Sequence, residues 1–152
     1  LRLVLAGGVR REAREAFRAF RKDHPRARVL ELPQTADPRR LAALYCRAEL
    51  VVLPALWEGM PNALLEAMAC ARPVLATAVG GIRDLVVDGT TGWLFPPEEL
   101  HLLDQHILRA LSRPAGAREG LGRAAREQVL AHFTPGAERD RLLDVYRSAI
   151  RP

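Results

Sequence analysis

Two carboxylates stand eight residues apart in the segment Pro54-Ala55-Leu56-Trp57-Glu58-Gly59-Met60-Pro61-Asn62-Ala63-Leu64-Leu65-Glu66. An apolar run, a glycine turn and a run rich in Ala, Leu, Glu and Met predict a strand, a loop and a helix there. Glu58 then lies in the loop at the strand's end and Glu66 one to two turns into the helix. Between them is the helix N-terminus, whose amides lack intrahelical acceptors and carry the positive end of the dipole. Such a terminus is an anion site made of backbone and suits a phosphate. Pro61 brings no N–H, and none is needed in the first turn. The amides of Asn62, Ala63 and Leu64 are the expected donors. Each carboxylate can accept from a sugar hydroxyl on either side of the phosphates. Hydroxyls, then phosphates, then hydroxyls again is the chemistry of a nucleotide sugar. Singly, neither residue says this: Glu66 reads as a solvated helix residue and Glu58 as an ordinary acid at a helix start. Their pairing across a glycine-bearing turn carries the reading.

The elements that must position this pair alternate in type. Strands are expected at Leu3-Val4-Leu5-Ala6, Val29-Leu30-Glu31-Leu32, Leu50-Val51-Val52-Leu53, Pro73-Val74-Leu75-Ala76-Thr77 and Gly92-Trp93-Leu94-Phe95. Helices are expected after Gly7-Gly8 with Ala13, Ala16, Phe17 and Phe20 on one face, and from Asp37-Pro38 to about Ala48. Others are expected over Pro61 to Cys70, over Ile82 to Val87, and along Leu100, Leu103, Ile107 and Leu111. A further helix should run from about Gly116 to His132 with Leu121, Ala125 and Val129 inward. The last starts at Thr134-Pro135 with Leu142, Leu143, Tyr146 and Ile150 along one side. Five strands alternating with about seven helices mean an α/β fold, a Rossmann-like three-layer sandwich around a parallel sheet. Ligands of such sheets bind outside the carboxyl ends of the strands. The loops at Gly7-Gly8, Gly59 and Gly80-Gly81 leave those ends and should face one ligand.

Composition bounds the alternatives. The chain has 152 residues, 49% hydrophobic and 27% charged, which is a globular domain rather than a disordered chain. No apolar stretch approaches the roughly 20 residues of a membrane span, and no charged-then-apolar leader opens the sequence. Two cysteines, Cys46 and Cys70, are too few for a disulfide scaffold or a zinc site, so a reduced, cytoplasmic setting is expected. The net charge is +5, and the basic residues, nearly all arginine, are interleaved with acids as on solvated helix faces. Aromatic residues make up 5% and none is interleaved in a basic cluster, which argues against nucleic acid as a partner. Trp57 and Trp93 read as packing residues, Cys70 as core, and Arg10 and Arg11 as solvated. The four histidines match no metal or triad spacing, and no Asp-x-Asp that would chelate a diphosphate-bound metal occurs. The helix terminus can supply the countercharge, so no metal and no cofactor are expected. Neither a Gly-x-Gly-x-x-Gly after the first strand nor a P-loop is present.

The Glu58-x7-Glu66 pair with its flanking pattern resembles the signature of the retaining GT-B glycosyltransferases of family 4. The resemblance also takes in Leu41 to Tyr45, Ala48 to Pro54, Ala67 to Cys70, Arg72-Pro73-Val74, Gly80-Gly81, Asp88-Gly89 with Thr91-Gly92, and Pro96-Pro97. It implies the C-terminal, donor-binding half of a two-domain enzyme, with the first βα unit of that half missing. Residues 1–133 would be the nucleotide-sugar-binding domain. Residues 134–152 would be a helix of the same domain or one crossing to an absent N-terminal domain. By the same resemblance Glu58 holds hydroxyls of the transferred sugar and is the catalytic position, and Glu66 holds the ribose. The turn Gly59, Met60, Asn62, Ala63 and Leu64 receives the diphosphate, with Gly7 and Gly80 facing the ligand. The implied donor is a UDP- or GDP-linked hexose. The implied acceptor is a glycan, a lipid or a small molecule, bound by the absent domain; this chain alone should not turn over. Peripheral association of the full enzyme with the inner face of a membrane is a further implication. The family's Arg and Lys near the diphosphate are missing here. Pro33 replaces a usual glycine, and Ala71 stands where glycine is common. The alternative is a non-catalytic nucleotide-sugar-binding or scaffold module of the same fold.

Overall fold

The computed structural model describes residues 2–7, 11–35 and 37–150. Five strands and seven α-helices alternate along them: β1 (Leu3–Ala6), α1 (Arg14–Asp23), β2 (Val29–Leu32), α2 (Pro38–Arg47), β3 (Val51–Leu53), α3 (Asn62–Ala69), β4 (Val74–Thr77), α4 (Ile82–Leu85), β5 (Trp93–Phe95), α5 (Leu103–Leu111), α6 (Ala115–His132) and α7 (Pro135–Ile150). Short 3₁₀ turns, Arg11–Ala13 and Pro97–Leu102, lead into α1 and α5. The chain divides into two compact units, Leu1–Leu41 and Ala42–Pro152.

In the first unit β1 and β2 pair in parallel, Leu3 opposite Val29 and Ala6 opposite Leu32. None of its described residues is buried. Arg11 is exposed, as expected; Gly8 and Arg10, which entered the sequence reading, lie outside the described residues.

The second unit holds a three-stranded parallel sheet in the order β3-β4-β5. β4 is central and wholly buried, which is why Val74-Leu75-Ala76-Thr77 reads as a short run without polar alternation. Leu64, Ala67 and Met68 of α3 are fully buried against it, with Val74, Ala76, Ile82, Leu85, Val86, Ala125 and Val129. Spacings of three and four put these α3 residues on one face, so Asn62, Ala63 and Glu66 stand on the exposed side. Each large apolar side chain buried here contributes roughly 1.5–3 kcal/mol. Leu121, Ala125 and Val129 of α6 point inward as their spacing predicts.

The end of α3 is held closely. The amides of Ala71 and Arg72 donate back to Met68 and Ala67 carbonyls, and Ala71 takes φ +54. This is the helix stop that normally uses a left-handed glycine. It explains why the position favours glycine and leaves Ala71 strained. Gly122 of α6 packs there: a Cβ on it would stand 2.3 Å from the Ala71 carbonyl oxygen. Arg126 of α6 also donates to the Ala69 carbonyl.

Three expectations are corrected. α3 starts at Asn62, because Pro61, at φ −76° and ψ 114°, is an extended cap rather than a helical residue. Cys70 is not core: it caps α3 and is half-buried. Trp57 does not pack: it is 83% exposed beside Leu56 at 73%, since the loop projects beyond the sheet that could cover it. The last helix forms as expected, and Leu142, Leu143, Tyr146 and Ile150 along it are all exposed.

Candidate functional site

The loops that leave the carboxyl ends of β3 and β4 meet backbone to backbone. A Cβ on Gly80 would stand 1.9 Å from the Glu58 carbonyl oxygen, and one on Gly81 would stand 2.2 Å from that of Gly59. Gly80 also has φ +46, a conformation open to glycine at little cost. The glycine pair is therefore required by the close approach of two chains. The neighbouring contact of Thr77 points the same way: its buried hydroxyl donates to the Ala55 carbonyl at 2.5 Å. Arg83 Nε donates to the Ala78 carbonyl at 2.7 Å, fixing the loop that enters α4.

Three residues beyond Gly59 the chain enters α3. The amides of Leu64 and Leu65 donate to the Pro61 carbonyl at 3.1 and 3.3 Å. Leu64 is thus not the free donor expected of it, and its side chain is fully buried. Among the described residues no acceptor takes the amides of Asn62 and Ala63, which stand exposed at the positive end of α3. Two donors remain for an anion, as at other helix N-termini that hold phosphate. Gly59 and Met60 are exposed beside them, and Glu58 is half-buried where Gly80 presses on its backbone.

Glu66 is exposed on the open side of α3, and it is not alone. Tyr45 of α2 packs against the core cluster and brings its hydroxyl to the Glu66 carboxylate. Burial first, and then the charge and hydrogen bonding of Glu66, push the Tyr45 phenol up to about 12. The sequence places Tyr45 on an apolar helix face and misses this role; a tyrosine rather than a phenylalanine there was the available signal.

The structure thus brings Glu58, Gly59, Met60 and Gly80 together, with Asn62, Ala63 and Glu66 following on α3. Gly7 belongs to the first unit, where it has φ +108 and its amide donates to the Leu32 carbonyl at 3.3 Å. Among the described residues no three His, Cys, Asp or Glu side chains are grouped as metal ligands would be.

Parallel strands whose carboxyl-end loops interlock beside a helix N-terminus define part of a Rossmann-like domain, a fold whose ligands bind outside the carboxyl ends of the strands. Its solved neighbours are GT-B glycosyltransferases. The chain belongs to the family described as "Glycosyl transferases group 1", which matches residues 1–113. It is 39% identical over 125 residues to a D-inositol 3-phosphate glycosyltransferase of Mycobacterium avium (strain 104), covering 82% of this chain and 29% of that protein. Among solved structures it is similar to a sucrose-phosphate synthase from Thermosynechococcus elongatus, with TM-score 0.82 and 31% identity, covering 97% of this chain and 38% of that one. The fold is also shared with Anabaena HepE, solved in complex with UDP-glucose, at TM-score 0.75 and 22% identity, covering 97% of this chain and 41% of that one. The chain therefore spans less than a third of the curated relative and about two fifths of the solved ones.

Proposed function

We propose that the chain is the donor-binding part of a glycosyltransferase that moves a hexose from a nucleotide sugar to a glycan, lipid or small-molecule acceptor with retention of anomeric configuration. The observation that carries this reading is the interlock of Glu58-Gly59 with Gly80-Gly81 beside the two free amides of α3. Those amides take the charge of the diphosphate as it leaves, a role backbone dipoles fill without reorganising. Glu66, oriented by Tyr45, accepts from the ribose hydroxyls. Glu58 accepts from hydroxyls of the transferred sugar. The UDP-glucose held by the similarly folded HepE favours a uridine nucleotide; GDP is the alternative the titration decides. The helix terminus supplies the countercharge, so this reading needs no metal. The acceptor is bound outside the residues of this chain, and turnover belongs to the longer protein. That protein works in the cytoplasm, at the inner face of a membrane when the acceptor is a lipid.

The test is a titration of the chain with UDP and GDP followed by backbone amide NMR shifts. With two free amides of α3 as the anion donors, the chain is expected to bind at about millimolar affinity. The shifts should centre on Gly59 to Glu66 and be unchanged by EDTA. Shifts centred elsewhere would overturn the reading.

A further inference from the structure

The only two cysteines of the chain, far apart in sequence, meet in the fold. Cys46 is the penultimate residue of α2 and is exposed; Cys70 caps α3 and is half-buried. Both are free thiols, and the Cys46 thiol is near enough to act on the Cys70 proton. Their backbone carbonyls converge on one side chain as well. A single guanidinium joins them: Arg72 Nε donates to the Cys70 carbonyl at 3.1 Å and Nη1 donates to the Cys46 carbonyl at 3.4 Å. Arg126 adds a second cation at the end of α3.

We propose that Cys46 and Cys70 form a redox-active dithiol that a peroxide closes to a disulfide, tying the last turn of α2 to the end of α3. The exposed Cys46 is the thiol the oxidant reaches. As thiolate it attacks one peroxide oxygen, the O–O bond breaks, and the departing hydroxide takes up a proton as water, leaving Cys46 as the sulfenic acid. Cys70 then gives up its proton and attacks the Cys46 sulfur. The S–O bond breaks and the second oxygen leaves as water. Two thiols have lost two protons and two electrons, and one peroxide has become two waters. Burial and the neighbouring Cys46 hold the Cys70 proton on, which suits it to the second step rather than the first.

The tie also reaches the donor site. Glu66 and Cys70 are four residues apart, on one side of α3, and Tyr45 directly precedes Cys46. Closing the bond replaces a non-bonded contact between the sulfurs by a covalent one and shifts the two helix ends that set the Tyr45–Glu66 contact. This consequence rests on the donor-site reading; the disulfide itself does not.

The experiment treats the full chain with hydrogen peroxide and reads intact mass, free thiols and non-reducing electrophoresis. Expected are a monomer lighter by two hydrogens, a thiol titre falling from two to none, and recovery with dithiothreitol. In Cys70→Ser, oxidation should stop at a sulfenic acid on Cys46 that dimedone traps. A chain that gains oxygen while Cys70 stays titratable, or that forms only intermolecular dimers, overturns the proposal. UDP titrated into the reduced and oxidised chains reads the link to Glu66: a loss of affinity of about threefold or more is expected. Equal affinities overturn that link alone. A reduced chain that binds no UDP counts against the donor site, and the mass result still decides the disulfide.

Discussion

A carboxylate that serves the ribose and one that serves the transferred sugar respond differently when each is made neutral. Glu66→Gln is expected to weaken UDP and UDP-glucose alike, by about tenfold or more, because one charged acceptor is worth roughly 1.5–3 kcal/mol. Glu58→Gln should leave UDP affinity as it was and remove the part of UDP-glucose affinity that the sugar contributes. Parallel titrations of both variants with both ligands read the split, and the opposite pattern would exchange the two roles. Tyr45 gives a second prediction. Its phenol is raised from 10.0 to about 12, so the folded state holds this proton more tightly than the unfolded one. The stabilisation is fully present below pH 10 and is lost as pH rises through about 12. In a Tyr146→Phe background, phenolate absorbance should titrate near 12, and Glu66→Gln should lower that midpoint by removing the negative charge beside the phenol. The placement of the two carboxylates, one in the loop and one on the open side of α3, was legible because an acid pair around a glycine turn is a local pattern. The Tyr45–Glu66 and Cys46–Cys70 contacts were not, since each joins two helices that β3 separates in sequence. Trp57 misled because residue type says nothing about whether a loop projects from its sheet.

At the scale of elements, α3 is the part whose ends decide the site, and its stop is built with the wrong residue for its backbone. Ala71→Gly should relieve the left-handed strain and stabilise the chain by about 1 kcal/mol. Gly122→Ala should act in the other direction, by about 1–3 kcal/mol, because its Cβ meets the Ala71 carbonyl. Urea midpoints of both variants check the pair, and stabilisation by Gly122→Ala would show that α6 can move away from α3. The order and type of the elements were readable because short apolar runs between Gly, Pro and Asp leave little choice. Boundaries shifted by about one residue where a proline could serve either as cap or as first helical residue, as at Pro61. What sequence spacing could not foretell was partnership: α7 has its apolar side chains at helical intervals, yet periodicity does not say what they face.

For the whole molecule, burial is unevenly shared. The fully buried side chains all belong to the second unit, while the first, with its β1–β2 pair, buries none among its described residues. Regions with little buried apolar surface open at lower free energy. Amide hydrogen exchange resolved by residue should show β4 and the buried turns of α3 and α6 protected to the global limit, and β1 and β2 exchanging well before them. Equal protection in both units would contradict the uneven core. The backbone interlock of Glu58-Gly59 with Gly80-Gly81 has a consequence for how such a site can be altered. Neither loop can lengthen, shorten or gain a side chain at the contact without dislodging the other, so insertions and deletions there are closed routes. The exposed residues around it, Met60, Asn62 and Ala63, can be exchanged while the carbonyl and amide framework stays put. Anyone wishing to vary what this candidate site accepts should therefore randomise those three positions and leave both loops at their present length.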